Sequence, residues 1–230
     1  MARSLITKTK RVFHEKGFLG FFIFVAKKAI RKFIYKHQNI VFLNRDLSLE
    51  MRRYKDSKRW HAREFTRDDI PLCCEYFQRF KSDYNDLFDR GLTAFAAYET
   101  ESGNMIAIAW YADKDFYDQH YLHQTFPVLD HQVFQLAGEI AKPYRNTQVS
   151  ISVIKMAWEY WKLQGKTELT TTVDTLNKAS IRYLFHLGWE ETGKIQHFHQ
   201  LFGYRWQRME YYKGDKFTHF RKRKKQPLNT

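Results

Sequence analysis

From His61 onward the chain breaks into short blocks in which apolar and polar positions alternate with two different periods. His61–Phe65 reads as a short strand. Thr66-Arg67-Asp68-Asp69 with Pro71 has the marks of a helix start, a hydroxyl or carboxylate cap followed by acids and an early proline, and this predicts a helix running to about Phe80. Thr93–Tyr98 and Met105–Tyr111 are β-prone runs joined by the polar turn Glu99-Thr100-Glu101-Ser102-Gly103-Asn104, which predicts a hairpin. Residues 113–131 are acidic, aromatic and rich in histidine without a clear period, and read as a long irregular connection. Val133–Ile140 is a further strand. Ser150–Gln164 carries Ile151, Ile154, Ala157, Trp158 and Trp161 on one helical stripe that stops at Gly165. Glu168–Val173 is a strand, Asn177–Leu187 a helix stopped at Gly188, and Glu190–Ile195 and Leu201–Trp206 the last strands. A hairpin followed by alternating strands and helices predicts a mixed sheet with helices on its faces.

Before His61 the pattern differs. Phe18–Ala26 is apolar but only nine residues long before Lys27 and Lys28 interrupt it, well short of the roughly 20 that a spanning helix needs. Continued as a helix, Ile23, Ala26, Ile30, Phe33 and Ile34 share a stripe, with Lys27, Lys28, Arg31, Lys32 and Lys36 on the other side. This basic amphipathic pattern has three readings, an interfacial helix on an anionic membrane, a helix packed on the body and an organellar presequence.

Composition supports a globular chain: 43% of the 230 residues are hydrophobic and 17% aromatic, enough for a core, which excludes disorder as the main state. The formal net charge of +14 is unevenly placed. Residues 1–60 carry +12 and residues 205–230 carry +7, leaving −5 on residues 61–204. Such asymmetry marks ends that meet an anionic surface or that keep an aromatic-rich protein in solution. The run Arg221-Lys222-Arg223-Lys224-Lys225 reads as a solvated terminus, and with no RNA-binding motif in the acidic body, nucleic acid is disfavoured as a partner. The two cysteines, Cys73 and Cys74, are adjacent and can build neither a disulfide framework nor a Cys-based zinc site, which points to a reducing, cytoplasmic compartment. Asp113, Asp115, Asp118, His120, His123 and His131, with His197 and His199, match no metal-ligand spacing, so no metal is expected.

Candidate chemistry lies in two strand–turn–helix segments. In the first, Arg145-Asn146-Thr147-Gln148-Val149-Ser150 presents the first turn of a helix, whose unpaired N–H groups and positive dipole end suit a phosphate. The second runs from Asp174 through Asn177, Ala179 and Tyr183 to Gly188-Trp189. Together they resemble the GNAT family, the Gcn5-related N-acetyltransferases, in which an Arg/Gln-x-x-Gly-x-Gly/Ala turn cradles the pyrophosphate of coenzyme A and a later Asn turn leads into a helix carrying Tyr. Here the first motif reads Arg145-x-x-Gln148-x-Ser150, so that Gln148 and Ser150 stand where the family has glycine and glycine or alanine; backbone N–H donors are retained.

The resemblance covers residues 61–206 and implies an α/β (α+β) fold, a mixed, mostly antiparallel twisted sheet flanked by helices, with residues 1–60 as a basic arm and 207–230 as a basic tail. It implies an N-acyltransferase that uses acetyl-CoA or another acyl-CoA as co-substrate. Tyr183 matches the general acid for the departing thiolate and Asn177 the residue that contacts the pantetheine arm. Ile140, Arg145, Asn146, Thr147, Gln148, Val149 and Ser150 would hold the coenzyme, and residues 136–140 would line the acyl site. Glu139 is the first candidate for the general base and Asp174 the second, while Asp83, Tyr84 and Asp86, with the acids Asp113, Asp115 and Asp118 of the connection, are candidates to hold a cationic amine. The acceptor expected is then a primary amine, with one on a membrane-linked molecule such as a surface-glycan precursor as the example, and residues 10–36 on an anionic membrane. Two other readings stay open: a non-catalytic protein of this fold that binds membrane or nucleic acid through its basic ends, and an acyltransferase fed by an acidic carrier protein.

Overall fold

The computed structural model describes residues 35–51, 57–119 and 122–220. The apolar run Phe18–Ala26, the rest of residues 1–34 and the basic run 221–225 lie outside the described residues. The chain divides into a larger unit, residues 41–194 with 212–220, and a smaller one, residues 35–40 with 195–211.

The larger unit is built on a sheet. Its strands are the later part of β1 (Tyr35–Asp46), β2 (Trp60–Phe65), β3 (Thr93–Glu99), β4 (Met105–Ala112), β7 (Gln132–Ile140), β8 (Glu168–Asp174) and the first part of β9 (Glu190–Leu201), in the order β9-β1-β8-β7-β4-β3-β2. The pairs β2–β3, β3–β4 and β4–β7 are antiparallel and β7–β8 is parallel. This is the mixed, mostly antiparallel sheet expected from the sequence. β4, Met105–Ala112, is buried at every position, as its unbroken apolar run requires of a strand covered on both faces. β8 alternates half-buried with buried residues, the period of two of a strand, with Leu169, Thr171 and Val173 on the buried face. The two short strands β5 (Phe116–Asp118) and β6 (Gln124–Phe126) form a separate antiparallel pair. Phe116 and Phe126 of this pair stack at 5.3 Å and close on Phe134 of β7 at 4.9 and 5.0 Å, so the connection is anchored by aromatic packing rather than being wholly irregular.

Three α-helices are described: α1 (Lys81–Asp89), α2 (Val149–Leu163) and α3 (Lys178–His186). α2 packs on β2, β3 and β4 through its buried stripe Val149, Val153, Ile154, Ala157, Trp158 and Trp161. Trp60 of β2 donates to Ser152 Oγ at 2.9 Å, and the buried guanidinium of Arg45 lies 4.2 Å from the Trp158 ring while donating to the carbonyls of Leu187 and Leu49. Gly165 and Gly188 end α2 and α3 with φ of +78° and +86°, the left-handed termination their positions predicted.

Three expectations change. The helix expected from Thr66 to Phe80 is two 3₁₀ segments, Arg67–Leu72 and Glu75–Phe80, with α1 beginning only at Lys81. Thr66 and Asp69 do engage, Asp69 Oδ2 accepting from Thr66 N at 2.8 Å, but Pro71 lacks an N–H and the first segment ends at once. β1 comes from the stretch read as arm: residues 35–46 are sheet, with Val41, Leu43 and Arg45 buried. The last two strands are longer than expected, β9 reaching Leu201 and β10 (Tyr204–Tyr211) entering the stretch read as tail. In the smaller unit β10 lies next to β9 and β9 next to β1. Phe202 and Gly203, both at positive φ, make the two-residue turn between β9 and β10.

Candidate active site

β7 and β8 pair only through Gln132, Val133 and Phe134 against Glu168, Leu169 and Thr170, and then part. The divergence follows from β7's other neighbour. Between Ala109↔Gly138 and Tyr111↔Gln135 the β4–β7 register slips by one residue, a bulge at residues 136–137 that bends β7 away from β8. The parting opens a cleft of about 400 Å³ lined by Gly138, Glu139 and Ile140 of β7, Thr172, Val173 and Asp174 of β8, Ser150 of α2, and Asn177, Ser180 and Tyr183 at α3.

Beyond Ile140 the chain makes a short 3₁₀ turn, Lys142–Tyr144, and then the segment Arg145–Gln148 that leads into α2. Asn146 takes φ of 65°, which Asn tolerates better than other side chains with a Cβ. Thr147 Oγ1 donates to the Tyr144 carbonyl at 2.6 Å and accepts from Val149 N at 3.4 Å, bracing the turn from within. Gln148 occupies the N-cap but its side chain makes no capping hydrogen bond, so the first-turn N–H groups of α2 are not capped by it. Ser150 stands one residue into the helix, and its hydroxyl accepts from Tyr183 Oη at 2.8 Å. Burial pushes the Tyr183 phenol above its ordinary range, and the bond to Ser150 offsets part of that rise, so Tyr183 keeps its proton at neutral pH. Of the two residues that depart from the glycine-rich pattern, Ser150 is thus the one that holds the tyrosine.

Glu139 faces the same cleft, and its Oε2 accepts from Tyr76 Oη at 2.9 Å. Tyr76 lies on the second 3₁₀ segment; its oxygen in turn accepts from Arg145 Nη2 at 2.9 Å, while Arg145 Nε donates to the Ile140 carbonyl at 3.3 Å. Arg145 is therefore turned back toward β7, and its charge reaches Glu139 through one phenol. Asp174 also lines the cleft, but its Oδ1 accepts from Leu176 N at 2.8 Å and so closes the turn into α3. Asn177 caps α3, its Oδ1 accepting from Ser180 N at 3.2 Å, with its side of the helix on the cleft.

The fold thus brings Tyr183, Glu139, Ile140, Ser150 and Asn177 to one cavity, while Arg145, Asn146, Thr147, Gln148 and Val149 form the adjoining turn and are not among the lining residues. The residues considered for holding an amine are otherwise engaged. Tyr84 is buried among Phe65, Phe80 and Trp110 in the core, its phenol pushed up by burial. Asp86 pairs with Arg90 at 2.8 Å and accepts from Gln119, and Asp83 accepts from Ser82. Asp115 and Asp118 accept from the backbone N–H groups of Val128 and Leu122. Among the described residues no group of three or more His, Cys, Asp or Glu could hold a metal ion. Tyr76 is the site residue that sequence reasoning missed; no local pattern marks it, since its partners lie 63 and 69 residues away in the chain.

No family model matches the chain, and no curated protein does. Solved structures do. A tandem GNAT protein from the clavulanic acid biosynthesis pathway, without acetyl-CoA, matches with a TM-score of 0.52 at 12% identity over 78% of this chain and 58% of that one. A Drosophila protein matches with a TM-score of 0.51 at 11% identity over 80% and 58%. A GCN5-related N-acetyltransferase from Sphaerobacter thermophilus gives 0.48 at 11% identity over 77% and 56%. The chain spans less than two thirds of the length of each. At these identities the likeness is one of fold.

Proposed function

From the GNAT fold of the chain as premise, we propose that it is an acyl-CoA-dependent N-acyltransferase, moving an acetyl group from acetyl-CoA to a primary amine in the β7–β8 cleft. The observation that carries this reading is the position of Tyr183 Oη, in the cleft and bonded to Ser150 at the start of α2.

The coenzyme supplies an activated thioester and a thiolate leaving group. The residues supply the rest. The first turn of α2, with the positive end of the helix dipole and no cap from the Gln148 side chain, receives the phosphates, and Asn177 borders the path of the pantetheine arm. Backbone N–H groups on β7 beyond the bulge receive the carbonyl oxygen as it gains negative charge. Glu139, held at Oε2 by Tyr76, takes a proton from the amine directly or through water. The amine nitrogen forms a bond to the acyl carbon, the carbon–sulfur bond breaks, and Tyr183 gives its proton to the sulfur; solvent returns that proton and removes the one on Glu139.

The −5 on residues 61–204 favours a cationic or amine acceptor. Residues 10–36 hold the enzyme at an anionic, cytoplasmic membrane face in this account, next to a lipid-linked amine. The test of the activity is release of free coenzyme thiol from acetyl-CoA in the presence of a panel of primary amines, with acetylated products identified by mass. The reading requires amine-dependent release that Tyr183→Phe suppresses; absence of release with every amine tried, together with absence of acetyl-CoA binding, would count against it. Deletion of residues 1–34 should abolish co-sedimentation with anionic vesicles, and unchanged sedimentation removes the membrane part alone.

A further inference from the structure

The smaller unit carries an edge that the acyltransfer chemistry does not use. β10, Tyr204–Tyr211, stands last in the sheet order, so one side of it has no strand beside it among the described residues. Eight residues of extended backbone then offer N–H and C=O groups along an open edge. Edge strands are ordinarily blunted by proline, bulges, lysine or very short length. β10 reads YRWQRMEY, with no proline, glycine or lysine, and Tyr204 and Tyr211 are each 73% exposed. Its two faces are fixed by its contacts with β9: Trp206 stacks on His199 at 5.0 Å and Glu210 Oε2 lies 2.8 Å from His197 Nε2 on one face, while Gln207 Oε1 accepts from Gln196 Nε2 at 2.8 Å on the other.

We propose that β10 pairs antiparallel with the β10 of a second copy of this chain, about a two-fold axis at Gln207. Cross-strand neighbours must share a face, so two copies of one edge related by an axis normal to the sheet can pair only residues of the same parity. Two registers keep seven of the eight residues of β10 in such a ladder, one with the axis at Gln207 and one with it at Arg208. An axis at Arg208 sets Arg208 against Arg208. An axis at Trp206 or at Met209 keeps only five, the remaining residues of β10 facing positions outside the strand. The axis at Gln207 sets Trp206 against Arg208 and Tyr204 against Glu210, each twice. It also sets Arg205 against Met209 and pairs the two Gln207 amides. Guanidinium over indole and phenol to carboxylate are both favourable pairs, and this register opposes no like charges. Of the two registers that keep seven residues paired, only the one at Gln207 is complementary to itself, which is why the partner is a second copy rather than an unrelated extended peptide.

The test uses the full chain. Light scattering across a dilution series should show a dimer, and Arg208→Glu should raise its dissociation constant by roughly tenfold or more, with the melting temperature of the dilute protein unchanged. In a Cys74→Ser background, Gln207→Cys should form a disulfide-linked dimer on mild oxidation. Arg205→Cys should not, because in this register the two 205 positions lie four residues apart along the ladder, roughly 13 Å, beyond the reach of a disulfide. A monomer at every concentration overturns the proposal. So does a dimer that Arg208→Glu leaves intact, or one in which Gln207→Cys does not link or Arg205→Cys links equally well.

Discussion

Ser150 and Tyr183 show how a residue that looks like a departure can belong to the site. A side chain where the motif that this turn resembles has glycine or alanine would be a cost to phosphate approach, yet here the hydroxyl receives Tyr183 at 2.8 Å and fixes the phenol in the cleft. Tyr183→Phe is expected to lower the turnover number about a hundredfold while acetyl-CoA affinity, measured by calorimetry, stays within twofold. Tyr76→Phe leaves Glu139 in the cleft without its donor; turnover should fall while the Michaelis constant for acetyl-CoA is unchanged, and equal loss in both would mark Tyr76 as a packing residue. Outside the site, Asp69 makes an acid-sensitive contact. Burial alone would raise its pKa, but two bonds from Arg63 and those from Thr66 outweigh burial and bring it down to about 2. Its folded pKa lies below the ordinary 3.8, so its contribution is complete above that pH and is lost as pH falls toward 2. With Arg63 partly exposed, the loss is on the order of 1–2 kcal/mol, and melting curves between those pH values should flatten in Asp69→Asn. Tyr183, Asn177 and Ser150 were legible in the sequence because each sits in a short strand–turn–helix pattern. The Tyr76–Glu139 bond was not, because only the folded sheet brings those two segments together.

Among elements, those with a sharp period and a punctuated end were readable. The helical stripe from Val149 ends at Gly165, the stripe through Ile181, Leu184 and Phe185 ends at Gly188, and the hairpin of β3 and β4 turns at Gly103. β1 was hidden by composition: its buried positions Ile40, Val41 and Leu43 sit inside the most basic part of the chain, and charge rather than period dominated the reading. The helix expected from Thr66 failed because a correct cap signal says where a helix can begin and nothing about whether Pro71 lets it continue. Two element-scale substitutions check this account. Asn177→Ala removes the acceptor for Ser180 N and should cost about 1 kcal/mol in denaturant unfolding. Gly193 lies in β9 at φ of 75°, and a Cβ there would meet the Tyr212 carbonyl at 2.5 Å. Gly193→Ala should therefore cost about 2 kcal/mol or more, well above an ordinary strand glycine.

At the scale of the whole molecule, the uneven charge and the fold separate two roles. The part of the chain with the cleft is mildly acidic, and the basic excess lies in its first 60 and last 26 residues. The order of strands and helices was legible because each element follows its neighbour with a short connection; the bulge that parts β7 from β8 was not, because it arises from the pairing of β7 with β4 and leaves no residue-type mark beyond Gly138. The central claim is that this parting makes a coenzyme site. Its most direct test is titration of the intact chain with acetyl-CoA, read by backbone hydrogen exchange and by thermal shift. The account predicts a rise in melting temperature, with new protection concentrated at residues 138–140, 148–151 and 172–177. No shift at millimolar acetyl-CoA, or protection that appears away from the cleft, would contradict it.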